Sequence, residues 1–181
     1  MILDATAGNR SMWQHKKSEN IIYIDIEKKL KRKPTIFADC INTPFLSKSF
    51  DTIFYDPPHM WGGEPFHHEA VGFLQKRHWA RTKPFAWTYY GWDKYKTRNE
   101  LIVFVYRAQK EFQRILKDDG LLWLKWNECE IPLNRILAIF SDWTELMRLY
   151  VVDPTHTASK HQTYWICLSK EKGEETQTTL L

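Results

Sequence analysis

The chain has 181 residues, a net charge of +4, 43% hydrophobic residues and 27% charged residues, which suits one folded domain and excludes a generally disordered chain. Three cysteines, an odd number spread far apart in the sequence, argue against a disulfide framework or a zinc knuckle and favour a reducing compartment. No run approaches the ~20 apolar residues of a membrane span, and the first residues predict a strand rather than a signal peptide, so we expect a cytoplasmic protein without a membrane partner.

Strands and helices alternate along most of the chain. In the first half, short strands are predicted at residues 1–4, 20–25, 35–38 and 50–56, with a helix at 10–17 and a basic helical turn up to residue 31 between them. In the second half, helices are predicted at residues 98–117 and 131–140, and strands at 121–126, 143–152 and 162–169. Gly120 is expected to close the first of these helices and Pro132 to open the second. This order predicts an α/β fold with a single domain over residues 1–169, in which seven strands form a mostly parallel sheet, helices cover both faces and the last strand runs antiparallel.

Two segments fall outside this alternation. Residues 61–96 form a long insertion in which basic and aromatic residues are interleaved, and residues 170–181 form a polar tail that we predict to be disordered. The chain holds nine tryptophans, eight tyrosines and ten phenylalanines, more than a core of this size needs, so some of them are expected to face a ligand. Interleaved basic and aromatic side chains suit phosphate neutralisation combined with base stacking, but they also suit a segment that packs on the sheet with solvated charges.

The most informative motif is Asp56-Pro57-Pro58-His59, which follows the hydrophobic strand at residues 50–55. Two prolines cannot extend a strand ladder, so the chain must leave the sheet there in a stiff, extended turn. The turn places a carboxylate and an imidazole at the carboxyl end of a strand, where open α/β sheets bind ligands. The Asp56 carboxylate and the Pro57 carbonyl, with a flat ring beside them, form an acceptor pair suited to the exocyclic amino group of a planar base.

The ends of the first three strands carry residues typical of a nucleotide-like cofactor site. The loop after the first strand has one glycine, Gly8, which is too few for a dinucleotide pyrophosphate but sufficient for S-adenosylmethionine. Asp4 can face the ammonium group of that cofactor, Asp25 its ribose hydroxyls, and Asp39 its adenine amino group. Each acid taken alone is more often a turn cap, and only their order at successive strand ends indicates a cofactor site.

With these motifs the chain resembles the class I S-adenosylmethionine-dependent methyltransferases, in particular the compact, phage- or prophage-type DNA methyltransferases that modify amino groups. The matching segments are ILDATAGNR, IIYIDI, FADC, FDTIFYDPPHM and KDDGLLWLKWNE, and the resemblance extends over residues 1–169. The chain departs from that family in three respects. His59 stands where Tyr, Phe or Trp is usual, Arg10 replaces a second glycine, and no segment resembles a separate target recognition domain.

The resemblance implies S-adenosylmethionine as the cofactor, a nucleic acid as the partner and no metal ion, and it leaves open whether the protein is a monomer or a homodimer. The catalytic residues expected from it are Asp56, Pro57, Pro58 and His59. The expected cofactor contacts are Asp4, Ala5, Thr6, Gly8, Arg10, Asp25, Ile26, Asp39, Cys40 and Asp56. The expected substrate contacts are His59, Trp61, Lys76, Arg77, Arg81, Lys83, Trp87, Lys125 and Asn127. For Asn127 and its neighbour Glu128, capping of the following helix is an equal interpretation.

The predicted reaction is methyl transfer to adenine N6 or cytosine N4 in DNA. No covalent enzyme intermediate is expected, because the chain lacks a Pro-Cys nucleophile. The target base must be single-stranded or flipped out of a duplex to reach the turn. Three alternatives stay open: a base amino-methyltransferase of tRNA or rRNA, a protein-glutamine methyltransferase, which has a related turn, and a non-catalytic binding subunit that keeps the fold as a scaffold. The presence of Asp4, Gly8, Asp25 and Asp56 counts against the scaffold.

Overall fold

The computed structural model describes residues 1–61, 94–151 and 162–170. Strands β1 to β4 span Ile2–Asp4, Ile21–Asp25, Ile36–Phe37 and Phe50–Tyr55, and helix α1 spans Arg98–Ile115. After α1 come β5 (Leu116–Asn127), the short helix α2 (Leu133–Leu137) continued by a 3-10 turn (Ala138–Phe140), β6 (Trp143–Val151) and β7 (Thr163–Lys170). In these ranges no helix is long and apolar enough to cross a membrane. Most of the predicted insertion and the tail beyond residue 170 lie outside the described residues.

The seven strands form one sheet in the order β3-β2-β1-β4-β5-β7-β6. β1 pairs in parallel with β2 and β4, β2 with β3, and β4 with β5, whereas β7 runs antiparallel to both β5 and β6. The predicted mostly parallel sheet with an antiparallel last strand is therefore confirmed. Because strands β1 to β4 end at the same edge of the sheet, the residues that follow them are brought together there.

One face of the sheet carries the main hydrophobic core. Ile53, Tyr55 and Leu122 are completely buried there, in the same core cluster as the apolar residues of α1. These apolar residues recur with helical spacing, and the side chain of Thr97 caps the start of the helix. Phe112 of α1 packs edge-on against Tyr55, with 4.8 Å between the ring centroids. This packing holds the end of β4, and therefore the turn that follows it, in place.

The connections β1–β2 and β2–β3 differ from the prediction. Residues 10–17, predicted as a helix, form turns, and so does the segment up to residue 31. Arg10 has a left-handed φ of 59°, which a right-handed helix cannot contain, and its side chain bonds to the carbonyl of Lys16. A helix of such length is also marginal without tertiary support, because isolated helices below about 12 residues are unstable.

Gly120, predicted to close the long helix, instead lies buried inside β5. The helix ends at Ile115 and the strand begins at once with Leu116, so no separate helix-closing turn exists. A Cβ on residue 120 would lie 2.7 Å from the Leu116 side chain and 3.0 Å from the Asp51 carbonyl oxygen. Close packing between β4 and β5 therefore requires this glycine. Pro132 stands one position earlier than predicted, as the residue that precedes α2.

Candidate active site

Asp56 lies where β4 ends, next to the loop that follows β1. Its backbone amide donates a 2.8 Å hydrogen bond to the Thr6 hydroxyl. Its Oδ2 accepts a 2.7 Å hydrogen bond from the Lys125 ammonium group, whereas no described residue bonds to Oδ1. Because the Asp56 side chain is 23% exposed, Oδ1 is available to a donor from a bound molecule.

His59 is a neutral ring in the same turn. Burial lowers its pKa to about 4, so the imidazole carries no charge at neutral pH. The imidazole ring lies edge-on to Trp126, with 6.2 Å between the ring centroids. The contact of the Pro57 carbonyl with the target amino group stays a prediction.

Arg10 determines the shape of the loop after β1. The residue that replaces the expected second glycine adopts a left-handed φ of 59°, as a glycine would. Its guanidinium donates hydrogen bonds to the carbonyls of Lys16 and Lys33, both at 2.7 Å. The same group lies 3.8 Å from the centre of the Tyr23 ring. Arg10 thus stabilises the loop from inside the protein, and its contact with the cofactor stays a prediction.

Asp4 is completely buried beneath the same loop. Its Oδ2 accepts a 2.7 Å hydrogen bond from the indole of Trp13, and its Oδ1 accepts a longer one of 3.3 Å from the Thr6 amide. Burial raises the pKa of this carboxyl to about 6. Asp4 therefore joins the two ends of the loop, and its predicted contact with an ammonium group stays a prediction.

The described residues on this side of the sheet suit S-adenosylmethionine. A Cβ at Gly8 would meet no atom within 4 Å, so space is open beside the loop. Half-buried Asp25 accepts hydrogen bonds from the amides of Gly8 and Glu27, and each of its oxygens keeps a lone pair for a ribose hydroxyl. Ile26 is 47% exposed and offers an apolar surface to a base. Asp39 uses Oδ1 to accept from a backbone amide, which leaves Oδ2 for an amino group.

Two other residues predicted to contact the cofactor have buried side chains. Ala5 and Cys40 are 2% and 4% exposed. Burial raises the pKa of the Cys40 thiol well above its ordinary value, so this cysteine is not a reactive thiolate. The contact of both residues with a cofactor stays a prediction.

The residues predicted to contact the substrate are only partly brought together. Lys76, Arg77, Arg81, Lys83 and Trp87 lie outside the described residues. Trp61 belongs to the main core, is 8% exposed and has the Arg98 guanidinium 5.2 Å from its ring. Packing therefore accounts for Trp61, whereas Lys125 and His59 lie at the Asp56 turn.

Asn127 and Glu128 organise the end of β5. Asn127 donates a hydrogen bond to the Thr163 hydroxyl and accepts one from the Cys129 amide. Glu128 accepts a 2.8 Å hydrogen bond from the amide of Leu133, the first residue of α2. The capping interpretation is therefore confirmed for Glu128.

Sequence reasoning missed two features of the site. Trp13, the donor to Asp4, is a large aromatic residue in a loop of small and polar residues, a contrast that could have indicated a structural role. The ion pair between Lys125 and Asp56 follows from the register, because Tyr55 pairs with Leu124 and the next residue of each strand is then adjacent. That register becomes known only with the structure.

Solved structures share this architecture. PH0226 protein from Pyrococcus horikoshii matches with a TM-score of 0.57 and 11% identity, over 94% of this chain and 81% of its own. A protein described as a type 11 methyltransferase from Sulfolobus solfataricus matches with a TM-score of 0.53 and 14% identity, over 96% of this chain and 85% of its own. The chain has the class I methyltransferase fold. A TehB-like SAM-dependent methyltransferase from Corynebacterium glutamicum matches with a TM-score of 0.52 and 12% identity, over 94% of this chain and 79% of its own.

At these identities the likeness establishes the fold and not the reaction. No protein-family model matches the chain, and no curated protein matches its sequence. The substrate must therefore be inferred from the residues at the sheet edge.

Proposed function

We propose that the chain is an S-adenosylmethionine-dependent methyltransferase that acts on the exocyclic amino group of a nucleobase, adenine N6 or cytosine N4, in DNA. One arrangement carries the proposal. The Asp56 carboxylate has one oxygen held by Lys125 and the other open, and its backbone is hydrogen-bonded to Thr6 in the loop that also contains Gly8. An acceptor for N–H groups next to a loop suited to a methyl donor is what methylation of an amino group requires.

The amino group of a base is a poor nucleophile, because its lone pair is delocalised into the ring. Hydrogen bonds from its two N–H groups to Asp56 Oδ1 and to the Pro57 carbonyl would draw the nitrogen towards tetrahedral geometry and localise the lone pair. S-adenosylmethionine, when bound, supplies an electrophilic methyl group. The nitrogen would gain the methyl carbon as the bond from that carbon to the sulfonium sulfur breaks, which leaves a neutral thioether. It would release one proton, which Asp56 accepts along the existing hydrogen bond and passes to water.

Lys125 positions the Asp56 carboxylate in this scheme. Its ammonium group lies 2.7 Å from Oδ2, and the two side chains are 30% and 23% exposed. A charge-assisted hydrogen bond in a half-buried place restricts rotation of the carboxylate and keeps Oδ1 in one position for the substrate. The same ammonium lies 6.0 Å from the centre of the Trp165 ring, which further limits its movement.

His59 replaces the usual aromatic residue with a neutral ring of similar flatness. A target base that enters the turn can stack on the imidazole, because base stacking needs a flat face and not a particular ring. The low pKa of His59 is an advantage here, since a charged imidazolium would repel the positive sulfonium of the methyl donor. The edge-on contact with Trp126 restricts the orientation of the ring.

Mass-spectrometric nucleoside analysis tests the proposal. DNA and RNA are isolated from cells that express the chain or its Asp56→Asn variant, and N6-methyladenine, N4-methylcytosine and methylguanine are quantified. We expect one of the first two in DNA with the unaltered chain only. Methylation confined to RNA would favour an RNA-modifying enzyme. No methylation, together with no calorimetric binding of S-adenosylmethionine, would favour a non-catalytic scaffold.

A further inference from the structure

Seven cations cover the turns between β1 and β3, and we call them the basic surface. They are Lys16, Lys17, Lys28, Lys29, Lys31, Arg32 and Lys33. Residues 10–33 carry eight Lys or Arg against three Asp or Glu, a net charge of +5, whereas the whole chain has +4. All seven are exposed except Lys16, which is half-buried. The positive charge of the protein is therefore concentrated on one surface, as in proteins that bind polyanions.

Polar contacts hold the two segments of the basic surface together. The Arg10 guanidinium donates 2.7 Å hydrogen bonds to the carbonyls of Lys16 and Lys33, one from each segment. The side-chain oxygen of Asn9 accepts hydrogen bonds from the consecutive amides of residues 31–32, at 2.9 and 3.3 Å. These contacts use backbone groups, so they fix the position of the surface without neutralising its charges.

Two of the three acids of the same stretch are also engaged by the backbone. Asp25 accepts from the amides of Gly8 and Glu27, and Glu27 accepts from the amide of Lys29. Within residues 1–61, 94–151 and 162–170, none of the seven cations forms an ion pair. In the same ranges ion pairs are formed by Lys48, Lys110, Arg114, Lys117, Lys125, Arg148 and Lys170. Seven other cations are thus paired with acids, whereas no acid in these ranges pairs with a cation of the basic surface.

We propose that the basic surface binds the phosphate backbone of the nucleic-acid substrate, an inference that rests on the proposed function. Asn9, which fixes this surface, belongs to the loop after β1, and β2 is separated from β4 only by β1. At about 5 Å between neighbouring strands, β2, which leads into residues 28–33, lies about 10 Å from the strand that carries Asp56. A strand of nucleic acid with its target base at Asp56 can therefore reach it with neighbouring phosphates.

The composition of the surface favours a nucleic acid over an anionic membrane. Membrane-bound basic surfaces combine cations with apolar side chains that enter the lipid. Leu30, the only apolar residue within residues 28–33, is 3% exposed and cannot insert. Ile26 and Phe37, which are 47% and 51% exposed, lie on either side of residues 28–33 and not among them. A run of cations matches a repeated phosphate, and such binding is strongly salt-dependent.

The test compares two triple variants with the same loss of charge. Lys29→Gln, Lys31→Gln and Arg32→Gln remove charge from the basic surface, and Lys48→Gln, Lys110→Gln and Lys117→Gln remove it elsewhere. Binding to a short fluorescein-labelled single-stranded DNA is measured by anisotropy between low and physiological salt. Urea unfolding and calorimetric affinity for S-adenosylmethionine are measured for both, so that a folding defect is recognised.

We expect the first variant to bind DNA about tenfold more weakly at low salt, with a salt slope reduced by about 2, because each lost phosphate contact removes about 0.7. The control variant should keep its slope, and both should bind S-adenosylmethionine normally. Equal losses in the two variants, or an unchanged slope in the first, would overturn the proposal. The proposal would also be overturned if the first variant bound DNA normally but lost binding to anionic phospholipid vesicles. That result would assign the basic surface to a membrane. Because binding is measured and not methylation, a chain that binds DNA here without modifying it would refute only the proposed function.

Discussion

Two regions of the sheet are stabilised by different interactions: the side formed by β1 to β3, where the cofactor is expected, and the centre formed by β4 and β5. Around β1 to β3, turns take the place of helices, and the side chains of Asp25, Asn9 and Arg10 each bond to two backbone groups. In β4 and β5, residues such as Ile53 and Leu122 are completely buried in the core cluster that includes α1. The comparison teaches that the loop after β1 depends on a few polar side chains, whereas the turn after β4 depends on apolar packing. Mutations in the two regions should therefore separate cofactor binding from global stability.

The largest expected effect is that of Asp56→Asn on catalysis. The asparagine amide is neutral and offers one acceptor oxygen where the carboxylate offers two, so it binds the Lys125 ammonium and the substrate N–H groups more weakly and cannot take up the released proton. We expect kcat to fall by about 10²–10³ or more, with an unchanged dissociation constant for S-adenosylmethionine. Radiolabel transfer and calorimetry measure the two quantities. Simultaneous loss of activity and cofactor binding would instead show a structural role for Asp56.

Lys125→Met should have the next largest effect, because it leaves the Asp56 carboxylate free to rotate. Outer partners of catalytic groups typically contribute about 10–100-fold to activity, and we expect a fall of that size in single-turnover rate. Lys125→Arg, which can still donate to Oδ2, is the matched control and should retain most of the rate. A Met variant as active as the Arg variant would remove Lys125 from the site.

Arg10→Ala tests the polar support of the cofactor side. It removes two hydrogen bonds and a contact with the Tyr23 ring, so the free energy of unfolding should fall by about 2–3 kcal/mol. The affinity for S-adenosylmethionine should fall as well, because the loop loses its shape. Arg10→Gly keeps the left-handed backbone and separates the side-chain contribution from backbone strain. Urea unfolding and calorimetry measure both effects, and an Ala variant with normal cofactor affinity would contradict the comparison.

Gly120→Ala is the corresponding change at the centre of the sheet. The added methyl group would press on Leu116 and the Asp51 carbonyl, and overpacking of this kind costs about 1–3 kcal/mol. Cofactor affinity measured under native conditions should stay the same, in contrast to Arg10→Ala. In a Leu116→Ala background the methyl group should cost less. Equal costs in the two backgrounds would mean that the strain arises from the backbone and not from that side chain.

The smallest expected effect concerns the pH dependence of stability. The pKa of His59 falls from 6.5 to about 4 on folding, so the folded state binds fewer protons and its stability decreases as pH falls through that window. The pKa of Asp4 rises from 3.8 to about 6, and this acts in the opposite direction, since stability then decreases as pH rises. Replacing the histidine by phenylalanine should remove the first contribution, about 1–2 kcal/mol after allowance for the partial exposure of the ring. Urea midpoints measured from pH 4 to 7 should therefore show a steeper decrease with rising pH in the variant than in the unaltered chain.

Much of the architecture could be predicted because it depends on local patterns. Hydrophobic runs and turn residues located all seven strands within a few residues, except the start of β5, and the order of acids at strand ends pointed to a common edge. The helix predicted at residues 10–17 was wrong, because hydrogen bonds from Arg10 and Trp13 to distant residues hold this segment as a loop. Such bonds cannot be recognised from the spacing of apolar residues. The prediction that Gly120 closes the long helix was wrong, because a glycine at this place in a sequence is equally typical of a helix end and of close packing within a sheet.

By itself, the sequence determined the alternation of elements, the stiff turn after β4 and the chemical groups at the strand ends, because these follow from the local preferences of proline, glycine and apolar runs. Only the tertiary structure decided which groups meet. The pairing of Lys125 with Asp56 depends on the register of two strands far apart in sequence, and the burial of Asp4 beneath Trp13 depends on how a loop closes. Such contacts arise from packing across the sheet, and a linear pattern of residues contains no distance between strands.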